Sequence, residues 1–357
     1  MICFVGPLPP PHHGMASVNV MMVERLSRRT RVKVVDLASG IEERGLFAKL
    51  RRLGRIGAAI PKLVSARLSG ATAAYGSVDD GSGGWLTVIW VGTARLLGMR
   101  VFLHHHSFRY LLASSAPIAT LARVAGPASE HVVLCSKMEA LLRQRYSGVG
   151  TVRVVPNTVP LPEPIKPAPI DRPFTIGMLS NLTFEKGVGR FLNVVTALCE
   201  SGSDIRAVLA GPAVGTDVEE AILAAQARLG ERLDWRGRVT GESKEAFFEA
   251  IDLFVFPTRY ETEAYPLVVV EALVRGVSVC TTDQGCLNEF ASLASVTVLG
   301  RETSFEESAV ALINTLAKET GERANHRQAA RAEGVDLVAA SQTELEALID
   351  RICDAGS

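Results

Sequence analysis

Residues 253–281 read LFVFPTRYETEAYPLVVVEALVRGVSVCT, and this stretch decides the fold. The apolar run Leu253–Phe256 predicts a strand, Leu267–Arg275 predicts a helix, and Ser278–Thr281 predicts a second strand. A strand, a helix and a strand in this order form a βαβ unit, whose two strands lie parallel in one sheet. The stretch therefore predicts a parallel sheet covered by helices.

The same alternation of short β-branched runs and longer helical patterns continues on both sides of this unit. A terminal amphipathic helix is expected at Leu337–Cys353. Alternation along nearly the whole chain predicts an α/β protein with doubly wound sheets. The expected strands are Ile2–Val5, Val32–Asp36, Ala71–Tyr75, Val101–His104, His131–Cys135, Val152–Val155, Phe174–Leu179, Arg206–Ala210, Leu233–Gly237, Leu253–Phe256, Ser278–Thr281 and Val296–Leu299.

A proline-rich segment, Pro156–Pro173, divides this pattern in two, because proline stiffens a chain and cannot continue a helix or a central strand. The length of 357 residues also favours two domains. We predict two Rossmann-like domains, 1–160 and 174–335, joined by a linker at 161–173, with residues 336–357 packing back toward the first domain. Since open α/β sheets bind ligands beyond the carboxyl ends of their strands, we expect the domains to face a central cleft.

Composition and charge restrict the function classes. The 47% of apolar residues exclude a disordered chain, and 38 basic against 38 acidic residues argue against a general nucleic-acid binder. The most apolar window, Trp85–Met99, is shorter than the roughly 20 residues of a bilayer span, and no leader-like segment precedes the first strand. We therefore expect a cytoplasmic protein. The six cysteines contain no CxxC pair, so no zinc site is expected.

Two carboxylates stand out in the quoted stretch. Glu263 lies in the loop, and Glu271 lies on an otherwise apolar helix, where a carboxylate is costly unless it is paired or hydrogen-bonded. The vicinal hydroxyls of a ribose would satisfy Glu271. The alternative is a buried salt bridge, for which Arg275 and Arg259 are conceivable partners.

Three further segments carry residue types that suit a ligand site. The first strand runs into a glycine-containing loop that ends at Gly14, and such a loop lets a substrate approach the backbone. Strand alternation places His104 and His106 on one face, at the carboxyl end of a strand, where a histidine can contact a ligand. The alternative is a hydrogen-bonded histidine in the core. Lys186, at a strand-to-helix loop, suits a diphosphate, with a solvated lysine as the alternative.

The ordered set of these motifs resembles the retaining GT-B glycosyltransferases of family 4, also called group 1. It comprises the loop to Gly14, a strand ending in HxH, Asn157 preceded by Pro156, the Glu-Lys-Gly loop at Lys186, the E-x7-E motif from Glu263 to Glu271, and a Gly-x-x-x-Glu loop at Gly285–Glu289. The resemblance covers nearly the whole chain and is most specific in the C-terminal half.

The resemblance implies roles for individual residues on the donor side. Glu271 would hold the donor ribose hydroxyls, Glu263 would contact the transferred hexose, and Lys186 would neutralise the diphosphate. Backbone N–H groups of the loop formed by Ala264, Tyr265, Pro266 and Leu267 would assist. The family loop normally carries an arginine five residues before its lysine, and this sequence has Asn181 there, so Arg259 is the candidate to compensate.

On the other side, the resemblance implies that Gly14 lets the backbone approach the donor phosphate or the acceptor. His106, or failing that His104, would lie beside the sugar near the reacting carbon. Asn157 would contact the sugar or the acceptor.

The resemblance thus implies a retaining transfer of a hexose-type sugar from a nucleotide diphosphate donor to a glycan or lipid-linked acceptor, in cell-surface polysaccharide or glycolipid synthesis. No cofactor and no metal are expected. The alternatives are a nucleotide-sugar epimerase or phosphorylase on the same scaffold, or a non-catalytic nucleotide-sugar-binding protein. A nicotinamide-dependent dehydrogenase fits poorly because the GxGxxG fingerprint is absent.

The segment Arg44–Arg67 is basic and amphipathic, and no acidic residue occurs between Glu43 and Asp79. Such a segment can lie on an anionic bilayer, where each basic residue adds roughly 1 kcal/mol. We therefore expect a peripheral contact with the inner face of the cytoplasmic membrane. The alternative is a solvated helix that covers the N-terminal domain.

Overall fold

The computed structural model describes residues 1–10, 14–38, 58–163, 172–300 and 303–356. Of the predicted linker, residues 164–171 lie outside these ranges, as do residues 44–57 of the basic segment. The chain divides into two compact units. Unit 1 comprises Met1–Asn157 with Ser341–Ser357, and unit 2 comprises Thr158–Ala340.

Unit 1 is built on a six-stranded parallel sheet with the order β2-β1-β3-β4-β5-β6. Its strands are β1 Ile2–Gly6, β2 Val32–Asp36, β3 Ala73–Val78, β4 Arg100–His105, β5 Glu130–Val133 and β6 Thr151–Val154. Its helices are α1 Gly14–Ser27, α2 at 58–68, α3 Gly84–Leu96, α4 Arg109–Leu112, α5 Ala116–Ala125 and α6 Ser136–Arg145.

Burial along the strands follows their place in this sheet. The interior strand β1 is buried at every position, whereas the edge strand β2 is mostly half-buried or exposed. A continuous apolar run is typical of a strand covered on both faces. The core of unit 1 packs Phe4, Tyr75 and Phe102 together with Leu348 and Ile352 near the C-terminus.

Unit 2 contains a second six-stranded parallel sheet with the order β12-β11-β10-β7-β8-β9. Its strands are β7 Phe174–Leu179, β8 Ile205–Ala210, β9 Leu233–Trp235, β10 Leu253–Phe256, β11 Ser278–Thr282 and β12 Val296–Leu299. Its helices are α7 Val188–Glu200, α8 Thr216–Leu229, α9 Glu242–Ala250, α10 Leu267–Leu273 and α11 Phe305–Lys318. The predicted pair of doubly wound parallel sheets is confirmed.

The last helix, α12 Arg323–Ala355, is longer than the predicted Leu337–Cys353. Its first turns are rich in charged residues, so apolar periodicity did not indicate them. Tertiary contacts hold these turns instead: Arg331 Nη1 donates to the carbonyl of Val274 at 2.8 Å, and a Cβ atom at Gly334 would lie 2.5 Å from the backbone of Leu273. Close packing within unit 2 therefore extends the helix beyond its amphipathic part.

Among the described residues, no helix combines the length and the apolar character that crossing a bilayer requires.

Candidate active site

Three neighbouring strands of unit 2 bring three loops to the carboxyl edge of the sheet. Strand β10 pairs with β7 on one side and with β11 on the other. A Cβ atom at Gly187 would lie 2.3 Å from the carbonyl oxygen of Pro257, and one at Gly285 would lie 1.9 Å from that of Glu263. Both glycines also have positive φ, at 95° and 59°. Only glycine permits these approaches, so the loops after β7 and β11 contact the loop after β10.

Lys186 and Glu263 form an ion pair at this edge. Glu263 is buried at 7% relative exposure, and the hydroxyl of Thr258 lies 3.5 Å from Glu263 Oε2. The ammonium of Lys186 also lies over the ring of Tyr260, 4.6 Å from its centroid, in a cation–π contact. The two charged residues that the family resemblance assigned to diphosphate and hexose are therefore in direct contact.

Glu271 has a different partner from those expected. Its Oε1 accepts from Lys244 Nζ at 2.6 Å, whereas Arg275 Nε donates to Glu245 at 2.7 Å. Arg259 is exposed, and its backbone N–H donates to the carbonyl of Glu185 at 2.7 Å. Glu271 thus forms a salt bridge, but the partners that the sequence suggested, Arg275 and Arg259, are wrong. Helix α9 places a lysine beside the carboxylate instead.

The rest of the predicted donor loop is buried. Ala264, Tyr265 and Pro266 are buried, and Leu267, which begins α10, is half-buried. The ring of Tyr265 packs against Phe290 with 4.9 Å between centroids, and burial raises the pKa of its hydroxyl.

Asn181 occupies the position where the family carries an arginine, and it is exposed. The hydroxyl of Ser180 donates to its carbonyl at 3.2 Å. An uncharged residue here leaves Lys186 as the predicted cation of this loop.

In unit 1, the histidines at the end of β4 separate onto two faces, as strand alternation predicts. The rings of His104 and His106 lie 4.0 Å apart, and His104 Nδ1 is 2.5 Å from the hydroxyl of Tyr75. His105 instead bonds Tyr110 and His131, each at 2.9 Å. Burial keeps the pKa of His104 well below its ordinary value, so His104 is neutral, whereas His106 is half-buried.

The other two predicted residues of unit 1 lie at its loops. Gly14 opens α1 and is exposed, and a Cβ atom built on it meets no described atom within 4 Å. Asn157 is buried after strand β6. Unit 1 therefore carries Gly14, His104, His106 and Asn157, while unit 2 carries the acidic pair and Lys186.

Sequence reasoning missed three residues of the unit 2 site, namely Lys244, Thr258 and Tyr260. Thr258 and Tyr260 belong to the quoted stretch and could have been found from its polar positions. Lys244 lies on a helix that precedes β10, and only the need of Glu271 for a partner pointed to a cation somewhere in the chain.

Comparison with known protein families supports the interpretation of the sequence. Residues 163–333 match the family model described as glycosyl transferases group 1. The predicted resemblance to group 1 glycosyltransferases is confirmed for this segment.

Two curated proteins match parts of the chain. One is a subunit of the phosphatidylinositol N-acetylglucosaminyltransferase of Homo sapiens, 26% identical over 204 residues, which cover 55% of this chain and 41% of that protein. The other is the lipopolysaccharide core biosynthesis mannosyltransferase LpsB of Rhizobium meliloti (strain 1021), 31% identical over 120 residues, which cover 32% of each. The chain therefore spans less than half the length of either relative.

Among solved structures, the Anabaena protein HepE in complex with UDP and glucose superimposes with a TM-score of 0.68 at 16% identity, over 98% of this chain and 99% of that one. At this identity the likeness shows the fold alone, and it confirms the GT-B fold.

Proposed function

Since residues 163–333 carry the sequence of a group 1 glycosyl transferase on a GT-B fold, we propose that this protein transfers a sugar from a nucleotide diphosphate donor to a glycan or lipid-linked acceptor. The observation that carries the proposal is the contact of Lys186 with Glu263 at the carboxyl edge of the unit 2 sheet. Ligands of open α/β sheets bind at this edge.

The donor would be held by the three loops of unit 2. Glu271 would accept the ribose hydroxyls, Glu263 would bind the hexose hydroxyls, and Lys186 would bind the diphosphate. An ammonium has three N–H donors, so Lys186 can keep Glu263 while it donates to phosphate oxygens. HepE was solved with UDP and glucose, which supports a nucleotide sugar as the donor.

The chemistry needs positive charge where the leaving group departs. As the bond between the anomeric carbon and the diphosphate oxygen breaks, negative charge grows on that oxygen. Lys186 and the N-terminal N–H groups of α7, which begins two residues later, would stabilise this charge more in the transition state than in the ground state.

We propose that the transfer retains configuration. The acceptor hydroxyl would attack the anomeric carbon from the face that the diphosphate leaves, and its proton would pass to the leaving phosphate oxygen. His106 of unit 1 would contact the sugar near the reacting carbon, and His104 would hold the His106 ring in place through their tilted ring contact, with 4.0 Å between centroids.

A lipid-linked acceptor agrees with an apolar and basic surface on unit 1. Leu68 and Leu96 are 84% and 91% exposed at the ends of α2 and α3, and Arg67 Nε links these ends by donating to the carbonyl of Leu97 at 2.9 Å. The described parts of α2, α3 and α5 contain no acidic residue, while Lys62, Arg95 and Arg123 are basic and exposed or half-buried on them. We propose that this surface, together with the basic segment Arg44–Arg67, contacts the anionic inner face of the membrane.

The names of the two relatives refer to phosphatidylinositol and to lipopolysaccharide, which also favours a glycolipid product. We propose a cytoplasmic location, peripheral to the membrane. The proposed role is cell-surface polysaccharide or glycolipid synthesis.

The test is release of nucleoside diphosphate from a panel of UDP- and GDP-sugars, each incubated with the full-length protein with and without glycan or lipid acceptors. We expect release that depends on an acceptor. Interconversion of sugars without an acceptor would instead indicate an epimerase, phosphate-dependent release would indicate a phosphorylase, and calorimetric binding without any product would indicate a binding protein.

A further inference from the structure

Two adjacent residues of α9 pair with two residues of the α10 region. Lys244 Nζ bonds Glu271 Oε1 at 2.6 Å, and Glu245 accepts from Arg275 Nε at 2.7 Å. Glu271 and Arg275 are four residues apart, so they lie on the same side of their helical segment. The two contacts lie side by side and join α9 to α10. In one pair α9 supplies the cation, and in the other it supplies the anion.

The contact between Arg275 and Glu245 has a structural character. It is bidentate, Arg275 Nη1 also donates to the carbonyl of Glu271 at 3.0 Å, and the guanidinium lies over the ring of Phe248 at 4.9 Å. Arg275 and its hydrogen bonds thus hold the two helices together, and they lower the pKa of Glu245.

The contact between Lys244 and Glu271 is different. It is a single contact through Oε1, and the side chains are 27% and 19% exposed, so a ligand can reach them. Because Arg275 already joins the two helices, the contact of Lys244 is not needed for that purpose. Its specific partner is the carboxylate of Glu271. A carboxylate offers about four acceptor positions, so one bond from an ammonium leaves room for the two hydroxyls of a diol.

We infer that Lys244 is a positioning residue for the nucleoside part of the donor: it fixes Glu271 Oε1 so that the carboxylate presents its remaining acceptor positions to the 2′- and 3′-hydroxyls of the ribose. This inference rests on the proposed function. It assigns to unit 2 two lysine–carboxylate pairs with separate tasks, Lys244 with Glu271 for the nucleoside and Lys186 with Glu263 for the diphosphate and sugar.

Loss of Lys244 should affect only the binding of the nucleoside part of the donor. Ribose contacts are the same in the ground state and the transition state, so their loss raises KM and leaves kcat unchanged. Loss of Lys244 should also reduce the preference for ribose over 2′-deoxyribose, since a carboxylate that is free to turn no longer grips both hydroxyls. Binding of inorganic pyrophosphate, which has no ribose, should not change.

The experiment compares the full-length wild type with Lys244→Met, Lys244→Arg and the control Glu245→Gln. Calorimetry measures the Kd of UDP, 2′-deoxy-UDP and inorganic pyrophosphate, with the guanosine pair in place of the uridine pair if the donor screen selects GDP-sugars. We expect Lys244→Met to weaken UDP about tenfold, about 1.4 kcal/mol, to bring the two nucleotides to similar affinity, and to leave pyrophosphate binding unchanged. Lys244→Arg should recover part of the preference.

Glu245→Gln removes the neighbouring pair and serves as the matched control. It should lower the Tm of the protein while it leaves the ratio of UDP to 2′-deoxy-UDP affinity as in the wild type. An unchanged ratio in Lys244→Met, or an equal loss of pyrophosphate binding, would overturn the inference and leave the proposed function intact. Failure of the wild type to bind any of these nucleotides would instead refute the proposed function, and this inference with it.

Discussion

Lys186 and Glu263 are joined by an ion pair although 77 residues separate them in the chain. Strands β7 and β10 are neighbours in the sheet, and the close approach of Gly187 to Pro257 brings their loops into contact. Because Glu263 is buried, removal of the lysine leaves an uncompensated carboxylate, which is far more costly than loss of an exposed pair. The ion pair therefore allows the carboxylate of Glu263 to stay buried in its charged form.

We expect Lys186→Ala to lower turnover with the nucleotide sugar about tenfold or more, because the growing charge on the leaving diphosphate loses a contact worth at least ~1.4 kcal/mol. Steady-state kinetics measures the effect. Lys318→Ala is the control, since Lys318 is an exposed lysine in the last turn of α11 and should keep wild-type rates. Wild-type turnover in Lys186→Ala would exclude this role.

Gly285→Ala should disturb the donor loop. The new Cβ atom would lie 1.9 Å from the carbonyl oxygen of Glu263, so the backbone that carries Glu263 must move. We expect a lower Tm and an affinity for the nucleotide sugar reduced severalfold, measured by thermal shift and calorimetry.

The control for this variant is Gly230→Ala. Gly230 has a similar φ of 56°, and no atom of the described chain lies within 4 Å of its Cβ position. It therefore carries the backbone strain without the clash and should leave donor affinity unchanged. Equal losses of affinity in both variants would contradict the contact between the two loops as the cause.

The buried histidines of unit 1 predict a loss of stability in mild acid. Burial, together with the nearby charge of Arg143, lowers the pKa of His131 from an ordinary value of 6.5 to about 4. As the pH falls below 6.5, His131 therefore binds a proton in the unfolded chain, whereas in the folded protein it binds one only near pH 4. The stability that neutral His131 contributes is complete above pH 6.5 and falls by about 3 kcal/mol toward pH 4.

Urea unfolding at a series of pH values between 7 and 4 measures this dependence. In His131→Asn the free energy of unfolding should fall less steeply over the same interval, whatever the loss of stability at pH 7. The decrease in slope should correspond to the uptake of at most one proton on unfolding. His104 and His105, whose pKa values are also lowered by burial, should keep part of the slope. Identical slopes in the two proteins would show that His131 is not the group responsible.

Replacement of Leu68 and Leu96 by serine should weaken binding to liposomes that contain anionic lipid. Each leucine exposes most of its side chain to water, and burial of a side chain of this size in an apolar phase contributes about 1.5–3 kcal/mol. Co-sedimentation with and without anionic lipid measures the loss. Leu223→Ser is the matched control, since Leu223 is 51% exposed on α8 of unit 2. Equal binding to neutral liposomes would argue against a charged membrane surface as the partner.

Treatment with EDTA should leave the transfer rate unchanged. Lys186 and the N-terminus of α7 would stabilise the leaving diphosphate, so the reaction should require no divalent cation. The measurement is acceptor-dependent release of nucleoside diphosphate before and after chelation, and after addition of Mg²⁺ or Mn²⁺. A rate that falls on chelation and returns with a cation would contradict this part of the proposal.

Much of the fold could be predicted from the sequence because the pattern of apolar residues in each element reflects which of its faces are buried. The strands of both units follow the predicted runs closely, since a central parallel strand is apolar along its whole length. Helix α12 was underestimated because its start is held by contacts such as that of Arg331 with Val274, which leave no apolar period in the sequence.

The sequence by itself determined that this chain forms two parallel α/β sheets, and that a lysine and two glutamates stand in loops and a helix at the carboxyl ends of the strands. Local periodicity carries this information, because it depends only on which side of each element faces the core. The tertiary structure alone decided the pairings: Lys186 with Glu263, and Lys244, not Arg275 or Arg259, with Glu271. These contacts depend on strand order and on how α9 packs against α10, and no local pattern records which distant elements become neighbours.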